Sequence, residues 1–291
     1  MTAIQNRYDF VYLFDVHNGN PNGDPDNGNM PRRETVSQKG LVTDVSLKRK
    51  VRNYVDIKHG GEPPYAIYMQ EKAVLNSQHE KAYAALKLKP ETKKLPKEAA
   101  KAYELTRWMC NHFYDIRTFG AVMTTEVNAG QVRGPVQFSF GESIDPLVPQ
   151  EITITRSSVT NTKDADKERT MGRKYIVPYG LYRSHGFISA NLAGDDTKGT
   201  GFSEDDLKLL WEALGSMFDQ DRSAARGEMS ARRLIAFKHD STLGCSPAHS
   251  LFSRIEVKLQ PEAKVPSRFE DYEVTINRDG LPEGIEILDL I

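Results

Sequence analysis

Every residue from Asn18 to Pro31 except Met30 is Asn, Gly, Asp or Pro, and the basic residues Lys48, Arg49, Lys50 and Arg52 follow soon after. Turn-forming residues keep the backbone out of regular ladders and leave N–H groups free to meet an anion, while lysine and arginine supply a positive field. The chemistry suited to this order is phosphate binding. Asn22, Asp24 and Asp26 also alternate as in a calcium loop. That pattern would need Gly where Asn27 stands and Glu where Arg33 stands, so side-chain turn chemistry explains these residues better than a metal does. Loop carboxylates beside a basic helix still leave one rival open, a metal-dependent ribonuclease using Asp24 or Asp26.

Other chemistries lack their residues. No HxxxH or HExxH pair places two of the 7 histidines on one helical face. Cys110 with His112 and Cys245 with His249 have no standard zinc-ligand spacing. GxSxG, GxxxxGK[ST] and a GxGxxG after the first strand are all absent. No catalytic set, metal or cofactor is therefore expected. Phosphate contacts call instead for Arg, Lys, Asn and Gln, found in the first loop and helix, at Arg117, Arg133 and Gln137, and on a later charged arm. Phe119 near Arg117, and Met171 between Arg169 and Arg173, are candidates to stack on bases or wedge between them.

The net charge of −1 hides segregation. Lys48 to Lys58 holds five basic residues against Asp56, Ile152 to His185 holds seven against three acids, and Glu256 to Ile291 holds nine acids against four bases. Two basic zones and an acidic end describe a local anion track, with the acidic end suited to contacts between subunits. The chain has 291 residues, 38% of them hydrophobic, which suffices for a core. No apolar run approaches the roughly 18 residues of a membrane span and no leader is visible, so a cytoplasmic protein with no membrane partner is expected.

The elements that must position these residues are legible in outline. YDFVYLFDV, Tyr8 to Val16, is a buried strand pattern. Thr43 is the expected N-cap of a helix that buries Leu47, Val51, Tyr54 and Val55 and carries Lys48, Arg49 and Arg52 on its flank. Residues 60–114, with their prolines, lysines and alanines, predict a helical insertion. Asp115 to Met123 and Gly134 to Phe140 read as strands. EITITRSSVT and KYIVPYGLYRSHGFISANL, separated by a charged tip, predict a long hairpin near residues 150–178. A capping box, Ser203 with Asp206, opens another helix, LFSRIEVKLQ reads as another strand, and an acidic segment follows over 256–291. No repeat or linker divides the chain, so one elaborated α+β domain over residues 1–291 is expected.

DVHNGNPNGDPDNGNMPR with GLVTDVSLKRKVRNY, then DIRTFGAVM, GPVQFSFGESIDP and ITRSSVTNTKDADKERTMGRKYIVPYGLYRSHGFISA, resembles the backbone ("Cas seven") subunit of type I-C CRISPR Cascade surveillance complexes. The likeness spans nearly the whole chain. It implies a modified RRM-like, ferredoxin-like palm of antiparallel sheet and helices, with helical fingers and a β-hairpin thumb. It implies a non-enzymatic, sequence-blind grip on CRISPR RNA by several head-to-tail copies, with bases left open to pair with a target DNA strand. Implied partners also include a Cas five-type RNA-processing subunit and the large and small subunits. Carried over, palm contacts come from Asn18, Asn20, Lys48, Arg49 and Arg52, and Arg117 and Arg133 line the groove. The thumb runs from Arg156 to Lys174, with Arg169, Arg173 and Lys174 as its cations and Met171 as its wedge.

Overall fold

A computed structural model of the protein describes residues 2–166, 171–194 and 197–291. Its first half contains β1 (Tyr8–Gly19), β2 (Gly23–Asp24), β3 (Met30–Pro31), β4 (Lys39–Val42), α1 (Asp44–His59), α2 (Leu75–Ala85), α3 (Ala99–His112) and α4 (Tyr114–Phe119). After these come β5 (Gly120–Thr124), β6 (Asn128–Arg133), β7 (Val136–Phe138), β8 (Gly141–Pro146), β9 (Gln150–Thr155) and β10 (Met171–Ile188). The last third holds α5 (Ala190–Gly194), α6 (Glu204–Gln220), β11 (Glu228–His239), α7 (Ala248–Phe252), β12 (Ile255–Leu259), β13 (Tyr272–Ile276) and β14 (Ile285–Asp289).

β1 is central in an antiparallel sheet ordered β14-β11-β1-β10-β8-β4, with β7 and β9 also paired to β10. Its side chains alternate between faces, and both faces are covered, which explains why YDFVYLFDV is apolar almost without a break. Tyr8, Phe10, Tyr12, Phe14 and Val16 meet Leu47, Val51 and Val55 of α1 and Leu207, Leu210 and Leu214 of α6. Val11 and Leu13 meet Leu251 and Phe252 of α7, Ile255 of β12, Tyr272 of β13 and Ile285 of β14. The polar exceptions have partners: Asp9 accepts from Arg7 and His239, and Asp15 accepts from Tyr179 and Arg232. The acidic C-terminal segment thus supplies part of the core and an edge strand of the main sheet.

Helix boundaries follow local signals. The Thr43 hydroxyl accepts from Ser46 N–H, and Gly60 closes α1 in the left-handed region at φ 64. Ser203 and Asp206 form the reciprocal capping box of α6. Two strand expectations change. The loop is not free of ladders, because β1 continues to Gly19 opposite Val177 and β2 pairs with β3 around the turn Pro25–Asn27. Gly19 makes that possible: a Cβ there would lie 1.9 Å from the Arg226 carbonyl oxygen. Asp115 to Phe119 is helical, not strand, and only Gly120 onward is extended. A third apolar cluster joins Tyr68, Tyr83 of α2, Leu105 and Met109 of α3, and Met123 and Ala129 of the β5–β6 pair.

One joint between the sheet and its cover is pH-sensitive. Arg183 of β10 donates to the carbonyls of Phe252 and Ile255, and its Nε donates to His185 Nε2, whose ring stacks on Phe252 at 4.1 Å. Burial, reinforced by the Arg183 charge, pushes the His185 pKa down to about 4. The unfolded chain therefore binds the proton more readily between the ordinary value and about 4. Stability from this joint is complete above pH ~6.5 and falls by about 2–3 kcal/mol as pH drops toward 4. Urea denaturation of His185→Gln at pH 7 and pH 4.5 is expected to show a smaller pH difference than wild type. An equal difference would remove His185 as its source.

Candidate nucleic-acid interface

The start of α1 is fixed from the loop before it. Asn22 Oδ1 accepts from both the amide of Thr43 (2.9 Å) and its hydroxyl (3.0 Å). Beside that helix end lies a concavity of about 370 Å³ bordered by Asn20, Ser46, Arg49, Lys50, Asn53 and Arg226. Lys50 is buried and bonds Asp221, which also takes Arg226 Nε at 2.8 Å. Burial lowers the Lys50 pKa, and Asp221 opposes that by stabilising the ammonium. Asn20 is pinned by its amide to Ala225 O and by its side chain to Asn29 O, while its Oδ1 is buried without a partner. Asn18 is exposed in a left-handed conformation, and its side chain contacts the His17 ring at 3.3 Å.

Four of the anticipated residues form one cluster. Lys48 Nζ donates to Gln137 Oε1 (3.0 Å) and to Asp44 Oδ2 (3.0 Å), and it lies 5.7 Å from the centre of the Phe119 ring. The Arg52 guanidinium lies 5.3 Å over the same ring and donates to Asp115 at 2.8 Å. Phe119 is only 6% exposed, so it is not a platform for bases; it is the apolar seat against which these two cations pack. Next to it opens a cleft of about 1000 Å³, bordered by Tyr103, Arg107, Val122, Arg133 and Gln137. Arg133 is exposed there, and among the described residues its guanidinium has no partner.

Arg117 does not line that cleft. It is 4% exposed, makes two bonds to the Asp206 carboxylate (2.9 and 2.7 Å), and donates to the carbonyls of Pro64 and Cys110. The partner that holds it lies on α6, far away in sequence. Arg117 ties α4 to the capped start of α6 and has no surface to offer a ligand.

The arm pairs Met171 with Thr155 and Arg173 with Thr153. Residues directly opposite share a face, so Met171, Arg173 and Tyr175 lie on one side, and Lys174 lies with Ile152 and Ile154 on the other. Met171 is 70% exposed, and among the described residues Arg173 pairs only with the exposed Glu151. Lys174 is less available, because it donates to the carbonyl of Ala224. Arg156 bonds Thr160, and Arg169 lies outside the described residues. The loop acids are engaged locally: Asp24 accepts from the amide of Asp26 and faces Arg32, and Asp44 holds Lys48. Among the described residues no three His, Cys, Asp or Glu side chains converge on a metal-sized site. Among the described residues no helix is long and apolar enough to cross a membrane.

The sequence reading did not single out Lys50 and Arg226, which border the first concavity, or Arg32, Arg33 and Phe140, which border a separate one of about 360 Å³ that also touches Thr43. The basic stretch around Arg226 was the available signal, but nothing local links it to α1. Because α1 and α6 close one face of the main sheet and the β12–β13 pair closes the other, the solvent-facing cations lie at the rim: at α1, in the cleft and on the arm.

Residues 6–277 match the family model for CRISPR-associated protein Cas7. The chain is 24% identical over 238 residues to a CRISPR-associated protein Cas7 of Haloferax volcanii, covering 74% of this chain and 65% of that relative's length. Its fold is similar to that of a chain in a CRISPR RNA-guided surveillance complex in a pre-nicking state, with TM-score 0.51, 15% identity, and 79% and 78% of the two chains covered. A chain of another CRISPR RNA-guided surveillance complex aligns with TM-score 0.45 and 16% identity, over 79% and 68% of the two chains. Since the family model takes in the cleft, the arm and every strand of the main sheet but the edge strand β14, the chain belongs to the CRISPR-associated protein Cas7 family.

Proposed function

We propose that this chain is the RNA-holding backbone subunit of a type I-C CRISPR Cascade, polymerising along the guide and gripping its ribose-phosphate chain without reading sequence. The observation that carries this reading is the set of solvent-facing cations, Arg49, Arg133 and Arg173, spread over α1, the cleft and the arm of a family member whose sheet faces are both covered. Arginines at a rim contact phosphates and leave base edges open, which is what pairing of the guide with a target DNA strand requires. The subtype rests on the run of residues from Asp15 through the arm that resembles type I-C subunits.

In this role the chain performs no chemistry. It works in the cytoplasm with further copies of itself, a Cas five-type RNA-processing subunit and the large and small subunits. The hairpin of β9 and β10 is its thumb, Met171 the wedge, and the α2–α3 region its fingers. The acids available for a ribonuclease, Asp24, Asp26 and Asp44, favour no second reading, since Asp24 faces Arg32 and Asp44 faces Lys48.

The direct test is the ultraviolet absorbance ratio and size of the purified full chain before and after ribonuclease. Co-purified RNA and large particles that collapse to single chains on digestion are expected. A nucleic-acid-free monomer that binds no added single-stranded RNA at low salt would overturn the proposal.

A further inference from the structure

The turn-rich loop contains three Asn-Gly pairs, Asn18-Gly19, Asn22-Gly23 and Asn27-Gly28. Such a pair carries a reaction of its own. The glycine nitrogen attacks the asparagine Cγ, and no Cβ on glycine obstructs the approach. An N–Cγ bond forms, the Cγ–Nδ2 bond breaks, and the glycine amide proton leaves with Nδ2 as ammonia. Water then opens the cyclic imide at either carbonyl, giving aspartate when the ring is cut at Cγ and isoaspartate when it is cut at the main-chain carbonyl. Water is the only co-reactant, and lability of this kind is one reason asparagine is scarce in heat-adapted proteins.

The fold restrains two of these pairs and leaves the third open. Gly19 lies in β1 opposite Val177, and Gly227 packs so closely on the same stretch that a Cβ there would come within 2.6 Å of the His17 carbonyl oxygen and 2.5 Å of that of Asn18. The next amide, that of Asn20, donates to Ala225 O at 2.8 Å, so the main chain around Asn18 is clamped. Asn22 is held by its side chain, whose Oδ1 accepts twice from Thr43, while Gly23 pairs with Pro31 and lies against the Asn29 side chain. Attack at either pair requires the loop to open first. Asn27 carries neither restraint. It ends the turn Pro25–Asn27, is exposed, and among the described residues its side chain makes no hydrogen bond. Gly28 is exposed too, and a Cβ on it would meet nothing within 4 Å. The bond that closes the turn, Asn29 N–H to Asp24 O at 2.8 Å, uses neither the Asn27 side chain nor the Gly28 nitrogen.

We propose that Asn27 is a site of spontaneous covalent modification, converting through the imide to aspartate and isoaspartate in the folded chain and so adding a carboxylate to the rim of the candidate interface. Asn27 borders the concavity of about 360 Å³ together with Asp24, Arg32 and Thr43. A carboxylate there competes for Arg32, which already faces Asp24 at 3.4 Å. Thr43 also borders the cationic concavity at the start of α1, so the two adjoin and the added charge repels an anion held by Arg49 and Arg226. This effect on binding rests on the RNA-holding reading; the modification itself does not.

The experiment ages the full chain in heavy-oxygen water at mildly alkaline pH, once folded and once in guanidinium chloride. Peptide mapping by mass spectrometry then follows the exchange of amide nitrogen for labelled oxygen at each asparagine. In the folded chain Asn27 is expected to react roughly tenfold faster than Asn18 and Asn22, and in denaturant the three rates should converge, because the fold alone distinguishes the pairs. Equal rates at the three sites in the folded chain, or an unlabelled Asn27 while the denatured sample reacts, would overturn the site. Asn27→Asp and Asn27→Gln measure the consequence. Both should unfold at the wild-type urea midpoint, and the aspartate variant should bind single-stranded RNA about two- to threefold more weakly than the glutamine variant at low salt, with the difference lost at high salt. Equal binding at low salt would overturn the link to RNA, and wild type that binds no RNA would bring down the RNA reading, while the mapping result stands apart from both.

Discussion

Replacing Arg117 with leucine is expected to destabilise the protein by about 3–5 kcal/mol, because it leaves the Asp206 carboxylate, wholly buried, without its countercharge. The guanidinium also satisfies the carbonyls of Pro64 and Cys110, and lysine cannot reproduce a fork that serves all three elements at once. Arg117→Lys should therefore recover only part of the loss. Arg117→Leu combined with Asp206→Leu should be less damaged than the single variants, since no buried charge then stands alone. Some deficit should remain, because Asp206 also closes the capping box with Ser203, worth about 1 kcal/mol. Urea denaturation followed by circular dichroism measures all four chains. If Arg117→Leu unfolds at the wild-type midpoint but loses RNA, the residue is a ligand contact after all and its buried position has been misjudged.

Arg117 also marks where the sequence stops being informative. Its type and its place near Phe119 suggested a groove cation, and nothing within a dozen residues says otherwise. The carboxylate that claims it lies at the start of α6, and only tertiary structure brings the two together. The same holds for Arg52 and Asp115, and for Lys50 and Asp221. By contrast, Thr43, Ser203 and Asp206 act within one helical turn, so their roles were legible from spacing alone. The helix of Tyr114–Phe119 was read as a strand for a related reason: all six of its residues are buried, so it shows no polar face from which a period of 3.6 could be recognised. The turn-rich loop hid the short β2–β3 pair because its composition reports local backbone freedom and not the cross-strand bonds that use it. The outward turn of Phe140 is invisible for a third reason: it comes from one extra residue, four steps from Phe138 to Glu142 against three from Gly186 to Arg183, and such a residue is defined only by the strand opposite.

On the proposed reading, the cations that hold RNA are those not already committed to the fold. Lys48 and Arg52 are only 12% and 13% exposed at the side chain and are bonded to Asp44, Gln137 and Asp115. Asp115 in turn accepts from the amides of Tyr68 and Met69, so neutralising Arg52 disturbs the link between α1 and α4 before any ligand arrives. Arg49 and Arg173 are 61% and 71% exposed; among the described residues they pair only with exposed glutamates, interactions worth about 0–1 kcal/mol, and Arg133 has no partner. The chain with Arg49→Gln, Arg133→Gln and Arg173→Gln together should therefore keep the wild-type urea midpoint. If each arginine neutralises one phosphate, the salt slope of single-stranded RNA binding should fall by about 2, at ~0.7 per phosphate, with affinity reduced on the order of a hundredfold or more at low salt. The loss should be the same for unrelated RNA sequences, because phosphate contacts carry no base information. Titrations at four salt concentrations against two such sequences provide the measurement. An unchanged slope would place the RNA elsewhere, and a loss confined to one sequence would make these arginines readers of bases instead of holders of the backbone.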